Sequence, residues 1–327
     1  MADSLTGGID SDATLSQTTK DILKSVLAGI TDTGTTPSVV SVSGTSVVSG
    51  VDANNNYQGV IVQSTAPVTG TVIIGTSNND VILPAHVGLT SQGLAAAVPA
   101  DVANTYLLGL IAAALPSTST NPDVIEQRQS LTTAVNQILN ANPNTTSAVN
   151  IINVIDSTVV GSAPQNIVIN SNNTSDILAI NMSAVRNGNT LVLGDVSSAV
   201  IVGPGTVQVS GTTSAIVIGD SADQLIIGGT GSDTLVGGGG SDTLVGGTGA
   251  NTFGFNTAGE YTVRNLGEGD SFQFNVPGVH NFTQLAALVT GSTTVNGNTT
   301  YTFIGGSTIT LVGITPDQVT ANLIHFG

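Results

Sequence analysis

The sequence predicts a mainly β protein, a solenoid of short stacked strands with an inserted helical hairpin and a short N-terminal helix. Three observations lead there. Apolar triplets begin near Ile167, Ile177, Leu191, Val200, Val207, Ile216, Leu225, Leu235, Leu244 and Phe253, and from Leu191 they step by 9, 7, 9, 9, 10, 9 and 9 residues. A unit this short cannot bury its apolar face alone, so neighbouring units must stack. The composition agrees: the chain is 40% hydrophobic but only 8% charged, and its Val, Ile, Leu and Ala lie among Thr, Ser, Asn and Gly, which favours strands and tight turns over disorder. Finally, the period sharpens at residues 228–254 into GGTGSDTLV, GGGGSDTLV and GGTGANTFG.

Residues 1–36 form an N-terminal segment. Its start, MADSLTGGIDSD, is polar and acidic and lacks the basic and apolar regions of a cleaved secretory signal. Within LSQTTKDILKSVLAGI, Leu15, Ile22, Leu23, Val26, Leu27 and Ile30 share one face at helical spacing. That helix either caps the solenoid or docks on a neighbouring subunit.

Residues 37–83 form an N-terminal β segment, in which the Val- and Ser-rich stretch 37–50 is a candidate donated strand. Gly75-Thr76-Ser77-Asn78-Asn79-Asp80 reads as a turn before Val81-Ile82-Leu83, with Asp80 either a cation ligand or the side chain of an Asx turn. Residues 52–63 faintly echo an EF-hand loop, but Tyr57 and Gln63 replace the glycine and glutamate such a loop requires.

Residues 84–147 read as a helical insertion. DVANTYLLGLIAAAL, residues 101–115, is apolar on nearly every side, as a buried helix is. Asn121 can cap a second helix with Pro122 in its first turn and Asp123 favoured by the helix dipole. Val124, Ile125, Leu131, Val135, Ile138 and Leu139 line one face of it.

Residues 148–255 carry the periodic strands, with a tight hairpin-like excursion expected at Asn187-Gly188. Residues 256–327 close the chain as a β cap, in which Val295-Asn296-Gly297-Asn298-Thr299 is a strong hairpin signal.

The nonapeptide unit is G-G-x-G-x-D-x-U-x, with U a large apolar residue. Asp233, Asp242 and Asn251 share one position, and Leu235, Leu244 and Phe253 another. Gly229, Gly231, Gly238, Gly240, Gly247 and Gly249 can adopt backbone angles closed to other residues and so wrap a turn with carbonyls facing inward. Ca2+ takes about 6–8 oxygen ligands, and carbonyls with carboxylates supply them. A flexible glycine linker would not keep Asp and Leu in register.

These repeats resemble the calcium-binding nonapeptides of RTX proteins, which type I systems export from Gram-negative bacteria. The resemblance implies a right-handed parallel β-roll in which two nonapeptides make one coil and turns i and i+2 share an ion. Asp233 would then pair with the turn carrying Asn251. Asp242 would pair with Gly219-Asp220-Ser221-Ala222-Asp223, adding Asp220 and Asp223 to the ligand set. Asn251 departs from the pattern because it is neutral, and the 219–224 turn is degenerate, so about two good sites and a weaker third are expected. The ending STITLVGITPDQVTANLIHFG resembles the C-terminal ends of type I substrates, so 256–327 would also hold the secretion signal.

Charge and missing motifs narrow the function. Net charge is −16, with five basic residues in all. Nucleic acid needs a basic patch and is excluded as a partner, and anionic membrane surfaces are disfavoured. The longest apolar run, Tyr106 to Leu115, is too short to insert across a bilayer. The chain has no cysteine, which removes disulfides and thiolate chemistry. It holds no HExxH and no GxSxG, and His86, His280 and His325 lie far apart. The expectation is a non-enzymatic, secreted calcium-binding structural protein at the cell surface. It would engage type I secretion machinery and self-assemble as a homopolymer into a filament, surface layer or biofilm matrix. An RTX adhesin or carbohydrate-binding module is the alternative, and a secreted hydrolase ranks below it. Ice binding is disfavoured because Thr69-Gly70-Thr71, Thr300-Tyr301-Thr302 and Thr308-Ile309-Thr310 do not recur at the coil period.

Overall fold

The computed structural model describes residues 40–42, 45–51, 56–61, 67–74, 77–94, 98–99, 102–103, 146–156, 163–171, 176–186 and 188–327, together with positions 120, 125, 128, 132, 136 and 138. The N-terminal helix expected at 15–30 lies outside these residues, as does most of the helix expected at 101–115.

The chain opens with β1 (Val40–Val42), β2 (Thr45–Val51), β3 (Asn56–Ile61), β4 (Val68–Ile74), β5 (Ser77–Leu83), β6 (Val87–Leu94) and β7 (Val98–Pro99). The coil region follows as β8 (Thr146–Asp156), β9 (Asn166–Ser171), β10 (Asp176–Asn181), β11 (Thr190–Gly194), β12 (Ser198–Val202), β13 (Gly205–Ser210) and β14 (Ile216–Ile218). It continues through β15 (Gln224–Ile227), β16 (Thr234–Val236), β17 (Ser241–Val245), β18 (Thr252–Phe255), β19 (Glu260–Arg264) and β20 (Ser271–Phe274). Helix α1 (Phe282–Leu288), β21 (Val289–Val295), β22 (Asn298–Phe303), β23 (Thr308–Leu311) and β24 (Ile324–Phe326) complete it.

From β8 to β20 successive strands alternate between two sheets, one ordered β8-β10-β12-β14-β16-β18-β20-β24 and the other β9-β11-β13-β15-β17-β19-β23. Neighbours along each run are parallel. This is the β-roll the repeats predicted. Its interior is two facing columns of apolar side chains. One runs Leu178, Ala199, Val217, Leu235, Phe253, Phe272; the other runs Ile167, Leu191, Val207, Ile226, Leu244, Val263, Leu311. All belong to one buried cluster. Full burial of each large apolar side chain contributes about 1.5–3 kcal/mol.

Strand β10, DILAIN, is buried at nearly every position rather than at alternate ones. The helical residues Ala103 and Ile138 explain this, because they pack with Val149, Ile177, Ala179, Val200, Ile218 and Val236 in a second cluster on the opposite face of the first sheet. Ala103 and Ile138 thus lie against one outer wall of the roll.

Several expectations need correction. The insertion begins later than residue 84, because Val87–Leu94 is a strand whose pairing with β8 overrides the local pattern. The N-terminal β segment expected at 37–83 is present, with β1-β2-β3-β6 and β4-β5 antiparallel and joined to the roll at β8 and β9. Gly188 lies in a turn between strands of opposite sheets rather than in a hairpin. The stretch proposed as a donated strand pairs within its own chain as β1 and β2. The hairpin at Asn296-Gly297 is present, with φ of +53° and +78°, and joins β21 to β22.

Candidate metal centre

The turns of the roll form two rows, one along each side. Turns 211–215, 228–233, 246–251 and 265–270 stack in the first row, and turns 219–223, 237–240 and 256–259 stack in the second. Neighbouring members of a row are separated by one coil of the chain, which is two nonapeptides. The strand register has the same spacing, with Leu225 facing Thr243 and Leu235 facing Phe253.

In the first row, buried side-chain oxygens form a ladder. Asp233 Oδ1 accepts the backbone N–H of Ala215 at 2.9 Å, Asn251 Oδ1 that of Asp233 at 3.0 Å, and Asp270 Oδ1 that of Asn251 at 2.6 Å. The second carboxylate oxygens turn back on their own loops: Asp233 Oδ2 accepts the Gly229 N–H at 2.8 Å, and Asp270 Oδ2 the Gly267 N–H at 2.7 Å. Asp233, Asn251 and Asp270 are all buried. The Asp233 turn therefore stacks on the Asn251 turn, joined to it by a direct hydrogen bond.

In the second row, Asp220 Oδ2 accepts the Gly203 N–H at 3.0 Å, and its Oδ1 accepts Ala222 N–H at 3.1 Å and the Gln224 side-chain amide at 2.5 Å. Asp242 Oδ1 accepts the Gln224 N–H at 2.8 Å. Asp223 lies on the rim, where it accepts the Ser241 N–H at 2.8 Å. The sequence thus brought Asp242 to the correct neighbouring turn, with Asp220 facing inward and Asp223 outward.

Glycine is required where the rows touch. Gly247 has φ of +88°, and a Cβ there would strike the carbonyl oxygens of Gly229 and Gly228. A Cβ on Gly249 would meet the Gly231 carbonyl, and one on Gly238 would meet those of Gly219 and Asp220. On Gly240 it would meet the Ser221 carbonyl and Asp223 Oδ1, and on Gly229 and Gly231 the carbonyls of Gly211 and Thr213. The glycines therefore hold open a lining of oxygens, and a side chain would fill it.

The donor set fits a hard divalent cation. Among the described residues no group of three or more carboxylate or histidine side chains gathers at one point, so most ligands here would be backbone carbonyls, as calcium accepts. Asp242 Oδ2 and Gln224 Oε1 are buried without a hydrogen-bond partner; Gln224 Oε1 lies against Gly219, as does the Gly237 carbonyl, and Asp242 Oδ2 lies against Gly237. Burial pushes the Asp242 carboxyl up to about 8, with the charges of Asp223 and Asp220 adding to the rise. A cation at this point would satisfy both orphan oxygens and offset the burial of charge. Asp242, Gln224, Asp220 and the Gly219 and Gly237 carbonyls would hold it. In the first row the holders would be Asp233, Asn251 and the carbonyls of the 228–231 and 246–249 turns.

Asp80 does not join either row. It is exposed in the middle of β5, opposite Thr71 and Asn170, rather than in a turn. Antiparallel pairing with β4 and β9 holds Ser77–Leu83 as one continuous strand, so Asp80 lies on a strand rather than in a turn. Sequence reasoning missed Asp270 and Gln224. Gln224 lies one full coil before Asp242, so the coil period would have found it. Asp270 follows Asn251 by slightly more than a coil and so falls out of step, although Gly267 and Gly269 precede it much as glycines precede Asp233.

A parallel roll whose turns present glycine carbonyls and buried carboxylates coil after coil defines a calcium-binding repeat protein. Residues 218–253 match the family model of the RTX calcium-binding nonapeptide repeat in four copies. The fourth copy includes the degenerate turn at 219–223. Residues 218–253 are thus RTX-type repeats that bind calcium, and repeats of this kind indicate an extracellular calcium-binding protein. No curated protein matches the chain. Among solved structures it is similar to the extracellular lipase LipA from Serratia marcescens, at 12% identity and a TM-score of 0.28, over 52% of this chain and 41% of the lipase. The chain therefore spans less than half the length of that protein.

Proposed function

We propose that this is a non-catalytic structural RTX protein that leaves the cell through a type I system, folds on meeting calcium and assembles with copies of itself into a filament, surface layer or matrix. Before export, the aspartates of the two turn rows repel one another and keep the roll open. Outside, calcium binds only the folded coils and shifts the equilibrium by mass action.

The observation that carries self-assembly is the edge strand β21. It is the last strand of its sheet, six of its seven residues are exposed, and its sequence VTGSTTV has no charge and no proline. Soluble proteins ordinarily guard such an edge with lysine, proline or a covering loop, because its free backbone groups template pairing with another strand. The test is negative-stain electron microscopy of the full chain with calcium and with chelator, repeated on Ser292→Lys/Thr293→Lys. Ordered assemblies that need calcium and vanish in the variant support the proposal. Discrete particles with calcium overturn it.

One observation favours a binding module as the second reading. Thr243, Thr262, Thr310, Thr300 and Thr293 stand opposite one another on five adjacent strands. The sequence hid this file, because β21 and β22 join it through antiparallel pairs outside the coil period. Such a row of hydroxyls suits adhesion to a hydroxylated surface, and a glycan-binding screen of the calcium-loaded protein would test it.

A further inference from the structure

At the C-terminal end the roll's interior changes from aliphatic to aromatic and stops being filled. Phe255 stacks edge-on to Tyr261 with centroids 5.1 Å apart, and tilted against Phe274 at the same distance. Between these rings, α1 and the cap strands lies a cavity of about 330 Å³, walled by apolar side chains and the Tyr301 ring. A second cavity of about 250 Å³ adjoins it, sharing Phe255, Phe274, Leu285, Phe303 and Ile309 as walls. Together they reach the size range of small-molecule sites. Both are partly open to solvent, and Phe282, 49% exposed, stands at the rim of the first.

The second cavity contains a feature that packing does not explain. Asn256 lines it, is 6% exposed, and has neither its Nδ2 nor its Oδ1 in a hydrogen bond. Burying an unsatisfied amide is costly, so a leucine would serve this place better unless something pairs with it. Its neighbours are already engaged: Tyr261 Oη donates to the Thr257 carbonyl at 3.0 Å, and Thr257 Oγ1 donates to the Gly238 carbonyl at 2.5 Å. The Asn256 amide is thus a buried polar group left unpaired in a largely apolar wall.

We infer that the cap binds a neutral amphiphile, an alkyl or aryl chain in the larger cavity with an uncharged head that both donates to and accepts from the Asn256 amide. The head is uncharged because no basic side chain lines either cavity and the chain carries a net charge of −16. A carboxylate would be buried without a counter-charge, and an ammonium would leave the amide's donors unused.

The test is isothermal titration of the calcium-loaded full chain with octanamide, octanoate and octyltrimethylammonium at neutral pH. Saturable binding of octanamide is expected, with both charged chains at least tenfold weaker. Asn256→Leu is expected to weaken octanamide about tenfold, the loss of one hydrogen-bonded head, while its melting temperature stays level or rises. Ala286→Phe, on the exposed side of α1 where it lines the larger cavity, is expected to block entry and abolish binding. Failure of octanamide to saturate would overturn the inference. So would unchanged octanamide binding in Asn256→Leu, or a fall in that variant's melting temperature, which would give the amide a purely structural role.

Discussion

Asn251 accepts the backbone N–H of Asp233 on its side-chain oxygen at 3.0 Å, across one full coil of the roll. Asp233 makes the same bond to Ala215 with a carboxylate oxygen. The ladder therefore needs an acceptor at this position and not a charge, so a neutral residue at 251 keeps the geometry while lowering the charge available to a cation. Asn251→Asp is expected to fold with calcium as the parent does, to bind it several-fold more tightly because site charge tunes affinity, and to be less stable in chelator. Calorimetric calcium titration of the two proteins checks this, and equal affinities would refute it.

Asp242 links stability to pH. Its folded carboxyl is raised from 3.8 to about 8, so in the absence of calcium the folded state holds a proton that the unfolded chain releases. Stability from this group is fully present below about pH 4 and is lost as pH rises toward 8. Calcium requires the deprotonated form, so its binding here releases a proton and strengthens as pH climbs through the same window. Asp242→Asn is expected to flatten the pH dependence of the calcium-free melting temperature, to raise that temperature at pH 8, and to weaken calcium binding. Thermal melts from pH 5 to 9, with and without chelator, measure all three.

Gly247→Ala tests the close approach of the turns. The substitution imposes a left-handed backbone angle on a residue with a Cβ, at about 1–2 kcal/mol, and drives that Cβ into the Gly229 carbonyl. It is expected to lower the melting temperature in calcium and to weaken calcium binding together. Gly291→Ala, where a Cβ would meet nothing within 4 Å, is expected to leave both unchanged.

Asp156 anchors the start of the roll without calcium. It is buried and accepts the Arg186 backbone N–H at 3.1 Å, the Arg186 Nε at 3.1 Å and the Asn189 amide at 2.8 Å. This joins the end of β8 to the loop before β11. Removing one partner of a buried pair costs about 3–5 kcal/mol. Asp156→Ala is expected to lose stability of that order in urea unfolding, while calcium stoichiometry stays at the parent value.

The roll and most of its turn chemistry were legible because both obey one period. Val207, Ile216, Leu225, Leu235 and Leu244 announced alternating strands, and the glycines with Asp233 and Asp242 announced the turns between them. Legibility failed where pairing partners lie far apart in the chain. Nothing near Asp80 says that β4 and β9 will hold Ser77–Leu83 as a strand, and nothing in 84–94 says that β8 waits beyond the helical insertion. The threonine file and the Asn256 cavity were hidden for the same reason, since each is completed by β22 and β23, which reach the roll only as the cap closes.

The alternation of strands between two sheets gives the roll a parity. Each nonapeptide carries the chain from one sheet to the other, so a duplication of one unit would move every later strand to the opposite wall. Leu244 would still point inward, but the Asp270 turn would leave the first row for the second, and the cap strands would meet the wrong sheets. Only units added or removed in pairs preserve both rows. A roll of this kind can lengthen or shorten only by even steps, which sets the unit of change available to it as tightly as calcium sets the conditions of its folding.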